Sequence, residues 1–179
     1  MSGQYRTIFV GLRVEPSAAL AANLEAVASE LRGLGAGASV VHPANHHFTL
    51  AFVGQPPLAE VRARFEACVA TLPAGLGPFE VELTAIAGFG TPQLPARVVF
   101  ASPAPSARLA ALAHAFRPMA EQDAVLHLTL GRTRTREASV HVRDHLFGPR
   151  ALGGLRVRQV SLMANDGSGR YVDLSAVDL

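Results

Sequence analysis

Lysine is missing altogether from this chain of 179 residues: all 16 positions counted as lysine or arginine are arginine. Its absence excludes Schiff-base catalysis and the lysine of a phosphate-binding P-loop. Arginine suits bidentate phosphate recognition, but the base composition of a genome produces the same bias. Cysteine is nearly absent too. Cys68 alone rules out an internal disulfide framework and a multi-cysteine zinc site, and within "RFEACVATL" it reads as a buried thiol on an amphipathic helix. No apolar run approaches the roughly 20 residues that cross a bilayer, and "MSGQYRTIFVGLRVEPS" lacks the cationic-then-apolar order of a signal peptide. A cytoplasmic protein without membrane association is expected. The net charge of +2 is too small to define a partner.

A chain with 49% hydrophobic residues can bury a sizeable core, and a single domain of two lobes over residues 1–179 is expected. Thr7 to Val14 reads as a buried strand. "PSAALAANLEAVASELRGLG" follows as a helix, with Ser17 as N-cap and Gly33 and Gly35 as stop. A short strand at "ASVV", a turn at Pro43 to Asn45, a strand from about His46 and a helix in "PLAEVRARFEACVATL" come next. In "FEVELTAIAGFG", Phe79, Val81 and Leu83 alternate with Glu80, Glu82 and Thr84, as in a strand with one wet face. The Gly- and Pro-rich stretch from Gly88 to Ala96 is expected to be a hinge between halves. Beyond it the order recurs: strand "RVVFAS", helix "PSARLAALAHAFRPM", strand "AVLHLTLGRTR", then closing strands in "LRVRQVSLMAN" and "RYVDLSAVDL". "EASVHVRDHLFGPRALGG" is ambiguous, read as one helical turn plus loop.

The repeat carries the chemistry. His47-Phe48-Thr49-Leu50 returns as His127-Leu128-Thr129-Leu130, 80 residues later. Alternation places His47, Thr49 and Ala51 on one strand face and Phe48, Leu50 and Phe52 on the other. Two lobes related by a pseudo-twofold axis would bring both His-x-Thr segments to one cleft. Imidazole titrates near neutral pH, so one ring can remove a proton while the other delivers one. Threonine hydroxyls beside them suit a negatively charged oxygen held between the rings. Opening a phosphate diester fits this set, because in-line attack needs a base behind phosphorus and an acid at the leaving oxygen.

"PANHHFTLAFVG" resembles the first His-x-Thr box of the two-histidine (2H) phosphoesterase superfamily, and specifically of the bacterial and archaeal RNA 2′,3′-cyclic phosphodiesterases, also called 2′–5′ RNA ligases. Pro43, Asn45, His47, Thr49, Leu50, Phe52 and Gly54 carry that likeness. "HLTLGR" matches the second box. "IFVGL", Phe89, "RVVF" and "GRYVDL" extend the resemblance over essentially the whole chain. Two positions depart from the pattern: Leu126 stands where proline often precedes the second histidine, and "ASVV" lacks an aromatic. Neither touches the acid, the base or the hydroxyls.

The resemblance implies an α+β fold of two pseudo-symmetric lobes, with antiparallel sheets lining a central cleft and helices outside. It further implies metal-independent hydrolysis of RNA 2′,3′-cyclic phosphate ends to 2′-phosphates, with reverse 2′–5′ joining as a minor reaction. His47 would be the proton donor and His127 the proton acceptor, an assignment that sequence symmetry alone does not make. Thr49 and Thr129 would hold the phosphoryl oxygens. Arg132, Phe89 and Phe9 would line the nucleotide pocket, Arg132 only if a twist or bulge overrides the alternation that sets it opposite His127. No cofactor and no obligatory protein partner is expected, and the chain should be a monomer. His42, His46, His114, His141 and His145 read as surface or structural groups. Competing readings are a 2H enzyme for another cyclic nucleotide-like phosphate and a noncatalytic module that binds RNA ends. A metal site from His42, His46, His47 and Asp123 is disfavoured, since adjacent strand histidines face opposite ways.

Overall fold

Ser17 caps the first helix as its sequence implies, accepting a hydrogen bond from Leu20 N–H at 3.2 Å. A computed structural model of the protein describes Tyr5 and residues 7–122, 124–167 and 169–179. The strands are β1 (Thr7–Pro16), β2 (Ala38–Val40), β3 (His47–Gly54), β4 (Phe79–Phe89), β5 (Val98–Pro103), β6 (Leu128–Thr133), β7 (Gly148–Asn165) and β8 (Tyr171–Asp178). The helices are α1 (Ala18–Gly33), α2 (Leu58–Val69), α3 (Ala107–Phe116) and α4 (Arg136–Leu146). The chain is α+β, and its sheet pairings are antiparallel. Among the described residues no helix is long and apolar enough to cross a membrane.

The sheets of the two halves are joined into one. Pairing runs β1-β3-β6-β5-β4-β7 and returns from β7 to β1, with β8 flanking β7 and β2 flanking β6. Long β7 makes the join on one side, pairing β4 through its first half and β1 and β8 through its second. On the other side β3 meets β6 at one registered pair, Phe48 opposite Leu128. Both side chains are fully buried. The helices cover the outer face with apolar stripes at helical spacing: Leu20, Leu24, Val27 and Leu31 of α1, and Leu109, Leu112 and Phe116 of α3.

Two expectations change. The Gly88–Ala96 stretch is no hinge: Phe89 pairs with Val98, so residues 90–97 close a β4–β5 hairpin. The ambiguous segment holds a complete helix, α4, capped by Thr135 and buried through Ala138, Ser139, Val142 and Leu146. Its histidines, serine and valines have modest helix propensity, and the buried stripe supplies what propensity lacks. Cys68 is buried on α2, as expected.

Each His-x-Thr strand carries a bulge at its leucine. Val10 pairs with Ala51 and Gly11 with Thr49, leaving Leu50 as an extra residue. Likewise Val99 pairs with Gly131 and Phe100 with Thr129, leaving Leu130 extra. A bulge reverses the alternation, so Leu50 and Ala51 both turn toward the core, as do Leu130 and Gly131. Two neighbours facing one way leave little room for the second. A Cβ on Gly131 would stand 2.6 Å from the Ser39 carbonyl oxygen and 2.7 Å from Leu31 Cδ1.

Gly131→Ala should therefore strain the bulge, lowering the unfolding free energy by about 1–3 kcal/mol in a urea titration. An unchanged midpoint would show that β2 and β6 are not packed this closely.

Candidate active site

The Phe48–Leu128 pair decides where the functional groups go. In an antiparallel ladder, Phe48 opposite Leu128 puts His47 beside Thr129 and Thr49 beside His127. With Phe48 and Leu128 in the core, their flanking residues take the other face. His47, Thr49, His127 and Thr129 accordingly line one cleft of about 550 Å³. Diagonal neighbours of such a pair lie about 7–8 Å apart at their Cα atoms, which leaves space for a tetrahedral group between two imidazoles. His127 itself sits just before β6, one residue short of the strand expected to contain it.

The two rings are held alike. His47 Nδ1 lies 2.7 Å from the Asn45 carbonyl oxygen, and His127 Nδ1 lies 2.6 Å from that of Val125. A carbonyl only accepts, so each Nδ1 carries hydrogen, and Nε2 is left as the group facing the cleft. His47 Nε2 is 3.1 Å from the Thr49 hydroxyl, which donates to it while the ring is neutral. Aromatic walls enclose both imidazoles. Phe9 and Tyr171 stand 4.9 Å and 5.1 Å from His47, and Phe100 and Phe89 stand 4.9 Å and 5.0 Å from His127, between ring centroids.

These walls remove water and favour the uncharged ring. Burial pushes His47 down to about 4, against the raising effect of the Asn45 carbonyl, and Arg13 and His127 add repulsion. His127 is also lowered from its ordinary value, first by burial and then by Arg132, while its bond to Val125 opposes both. His47 is consequently neutral at pH 7 when the cleft is empty. An anion between the rings would favour protonation of the ring it touches.

Arg132, Phe89 and Phe9 all line the cleft. Arg132 does so because of the Leu130 bulge, which supplies the reversal its sequence position requires. Phe89 is 39% exposed at the β4–β5 hairpin, whereas Phe9 is buried against His47. Phe52 is a further lining residue that alternation hides, for it was expected on the core face and is 36% exposed at the cleft. It stands three residues after Thr49, as Arg132 does after Thr129. A small residue after each leucine, Ala51 and Gly131, is the signal that marks both bulges. Tyr171, Asn45 and Phe100 complete the site. Tyr171 N–H donates to Asn45 Oδ1, and Arg13 donates to the Ala44 and Tyr171 carbonyls and pairs with Asp173 at 2.9 Å. This cluster holds β8 against the turn before His47.

His46 faces away from the cleft into a smaller apolar pocket with Leu24 and Leu130. His114 is exposed on α3, and His141 and His145 stack on exposed α4. Among the described residues no three His, Cys, Asp or Glu side chains are placed to hold a metal ion. Asp123 lies outside the described residues.

Fold and cleft define a class: two imidazoles and two threonines lining one cleft across the floor of an antiparallel sheet. The model of the family described as LigT-like phosphoesterase matches residues 14–100, which include the first box. In sequence the likeness to that family runs over residues 14–100, and beyond them the solved structures carry the likeness as one of fold. Solved structures agree in fold over both halves. E. coli LigT complexed with 3′-AMP superposes with a TM-score of 0.72 at 20% identity, covering 98% of each chain. E. coli LigT complexed with phosphate gives 0.71 at 22% identity over 99% of each. The protein TT0787 of Thermus thermophilus gives 0.69 at 23% identity over 97% of each. No curated protein matches the chain in sequence.

An NMR titration should find the His47 imidazole near pH 4 in the free protein, and inorganic phosphate should raise that midpoint. Between about pH 6.5 and 4 the unfolded chain binds a proton that folded His47 refuses. The resulting stability is therefore complete above about pH 6.5 and is lost as pH falls, up to about 3 kcal/mol for this one group. A midpoint near the ordinary imidazole value without phosphate would contradict the enclosure described.

Proposed function

We propose that the protein hydrolyses RNA 2′,3′-cyclic phosphate ends to 2′-phosphates, with His47 as proton donor and His127 as proton acceptor. The observation that supports this most directly is the Phe48–Leu128 register, which faces two His-x-Thr segments across one cleft. The reaction needs its groups in that relation. Water attacks phosphorus opposite the 3′ oxygen and gives its proton to His127 Nε2. The bond from phosphorus to the 3′ oxygen breaks, and that oxygen takes the proton from His47 Nε2. Solvent exchange then restores both rings.

Neutral His47 acquires its proton as the phosphodiester anion enters, since the anion stabilises the imidazolium that burial alone disfavours. Thr49 and Thr129 donate to the nonbridging oxygens, where preorganised donors act on the growing charge. Phe89, Phe52 and Arg132 offer planes on which a nucleobase stacks. A cleft of about 550 Å³ suits a nucleotide, and E. coli LigT has been solved with 3′-AMP, ATP and NADP+. Donor and acceptor are assigned by family likeness. By microscopic reversibility the same groups support 2′–5′ joining at high concentrations of ends.

An oligoribonucleotide with a cyclic phosphate end, incubated with EDTA, should yield the 2′-phosphate. His47→Ala and His127→Ala should each lose about 10²–10⁴-fold in rate, the usual worth of a general acid or base. Replacing Thr49 or Thr129 by valine should cost about 10²-fold. Undiminished ring opening in both histidine variants would end this assignment.

A further inference from the structure

Three arginines lead away from the cleft where β6 ends. Arg132, Arg134 and Arg136 are all exposed. Thr133 between the first two is 3% exposed and donates its hydroxyl to the Ala96 carbonyl at 2.9 Å. Neighbours of an inward residue in an extended chain point outward, so Arg132 and Arg134 share one side at a spacing of about 6.6 Å. That repeat is comparable to the distance between successive phosphates of an extended ribonucleotide strand. Arg136 follows two residues later in the chain as the first residue of α4, directly after its N-cap Thr135.

Most of the other described arginines have a partner for the guanidinium group. Arg13, Arg32, Arg143 and Arg158 pair with carboxylates, while Arg62, Arg64 and Arg108 bond to carbonyl oxygens. Among the described residues no side-chain hydrogen bond or ion pair involves Arg132, Arg134 or Arg136. Glu137 is the one acid within the segment 131–137. The helix gains nothing from Arg136, because a cation at a helix N-terminus opposes the macrodipole. Exposed guanidinium groups of this kind are free to pair with phosphate oxygens.

The opposite rim has the reverse character. Phe52 takes the place equivalent to Arg132, and exposed Glu121 donates its backbone N–H to the Phe52 carbonyl at 3.0 Å. A polyanion anchored between the histidines therefore meets the hydrocarbon ring of Phe52 on one side and the Arg132 guanidinium on the other.

We propose that the substrate is a single-stranded oligoribonucleotide whose phosphates upstream of the cyclic end lie along Arg132, Arg134 and Arg136. The proposal rests on the cyclic-phosphate reading above and adds what that reading leaves open, namely that the strand beyond the terminal nucleotide is gripped. Arg132 serves the terminal nucleotide as well, while Arg134 and Arg136 serve only the strand.

The test compares a nucleoside 2′,3′-cyclic monophosphate with a hexaribonucleotide bearing the same end, for the wild type and the Arg134→Ala/Arg136→Ala double variant. In about 50 mM salt the wild type should favour the hexamer by tenfold or more in kcat/KM, and the advantage should shrink toward about 200 mM. The double variant should lose most of that advantage and keep its mononucleotide rate within twofold. Its log–log salt slope should be shallower by about 1.4, for two single-strand phosphate contacts. Equal use of both substrates by the wild type, or an equal loss on both in the variant, overturns the proposal. If neither ring opens, the hydrolysis reading fails by itself. Anisotropy of a fluorescein-labelled hexaribonucleotide then decides the arginine row alone: weaker, less salt-dependent binding by the double variant supports it, and equal affinity and slope overturn it.

Discussion

One residue pair, Phe48 against Leu128, closes the circuit of strands and creates the cleft. Its register is enforced by burial. Because side chains alternate along a strand, a slip of one residue would expose Phe48 or Leu128 and press histidine and threonine into the core. Two fully buried large apolar groups resist that exchange, each worth about 1.5–3 kcal/mol of transfer free energy. One pair suffices because neither strand depends on it for support. β3 is held along its length by β1, and β6 is held by β5 and β2.

Around this pair the molecule is symmetric at the two His-x-Thr segments and asymmetric around them. Both boxes have the same Nδ1 bond to the carbonyl two residues earlier, and both have the same bulge. The supporting aromatics are exchanged between strands. In β1, Phe9 is the large residue beside His47, and Gly11 leaves the ring room: a Cβ there would stand 3.3 Å from His47 Cδ2. In β5 the equivalent places are held by small Val98 and large Phe100, and Phe100 stands against His127. Tyr171 and Phe89 supply the second wall of each ring from unrelated strands. The rims differ as well, with Phe52 on one side and Arg132 on the other.

This division explains how far the sequence could be read. Helices α1 and α3 are legible because a Pro-Ser start and a 3.6-residue apolar stripe are local features. The His-x-Thr repeat is legible because it returns in an equivalent order of elements. The bulges are not, since two-residue alternation holds only while the ladder is regular, and the bulge transfers Phe52 from core to cleft. α4 is obscured because its stability comes from Ser139, whose hydroxyl accepts the Ala96 N–H at 2.7 Å, and from tertiary packing of a stripe with modest propensity. Tyr171 lies 124 residues from His47 in the chain, and polar contacts of Arg13 and Asn45 tie their strands together. Polar contacts between distant segments leave no periodicity to detect.

The aromatic enclosure also settles a conflict within the site. Arg13 and Arg132 stand near the histidines, and two imidazolium ions added to them would crowd positive charge around partly desolvated rings. Burial prevents this by keeping the resting rings uncharged, so the empty cleft loses no folding stability to like-charge repulsion between them. The same low polarity strengthens attraction once an anion is present. Protonation of one ring and occupation of the cleft by an anion then favour each other. Fully solvated rings would keep ordinary imidazole behaviour and lose that coupling. The walls of Phe9, Tyr171, Phe89 and Phe100 thus belong to the chemistry as much as the rings they enclose.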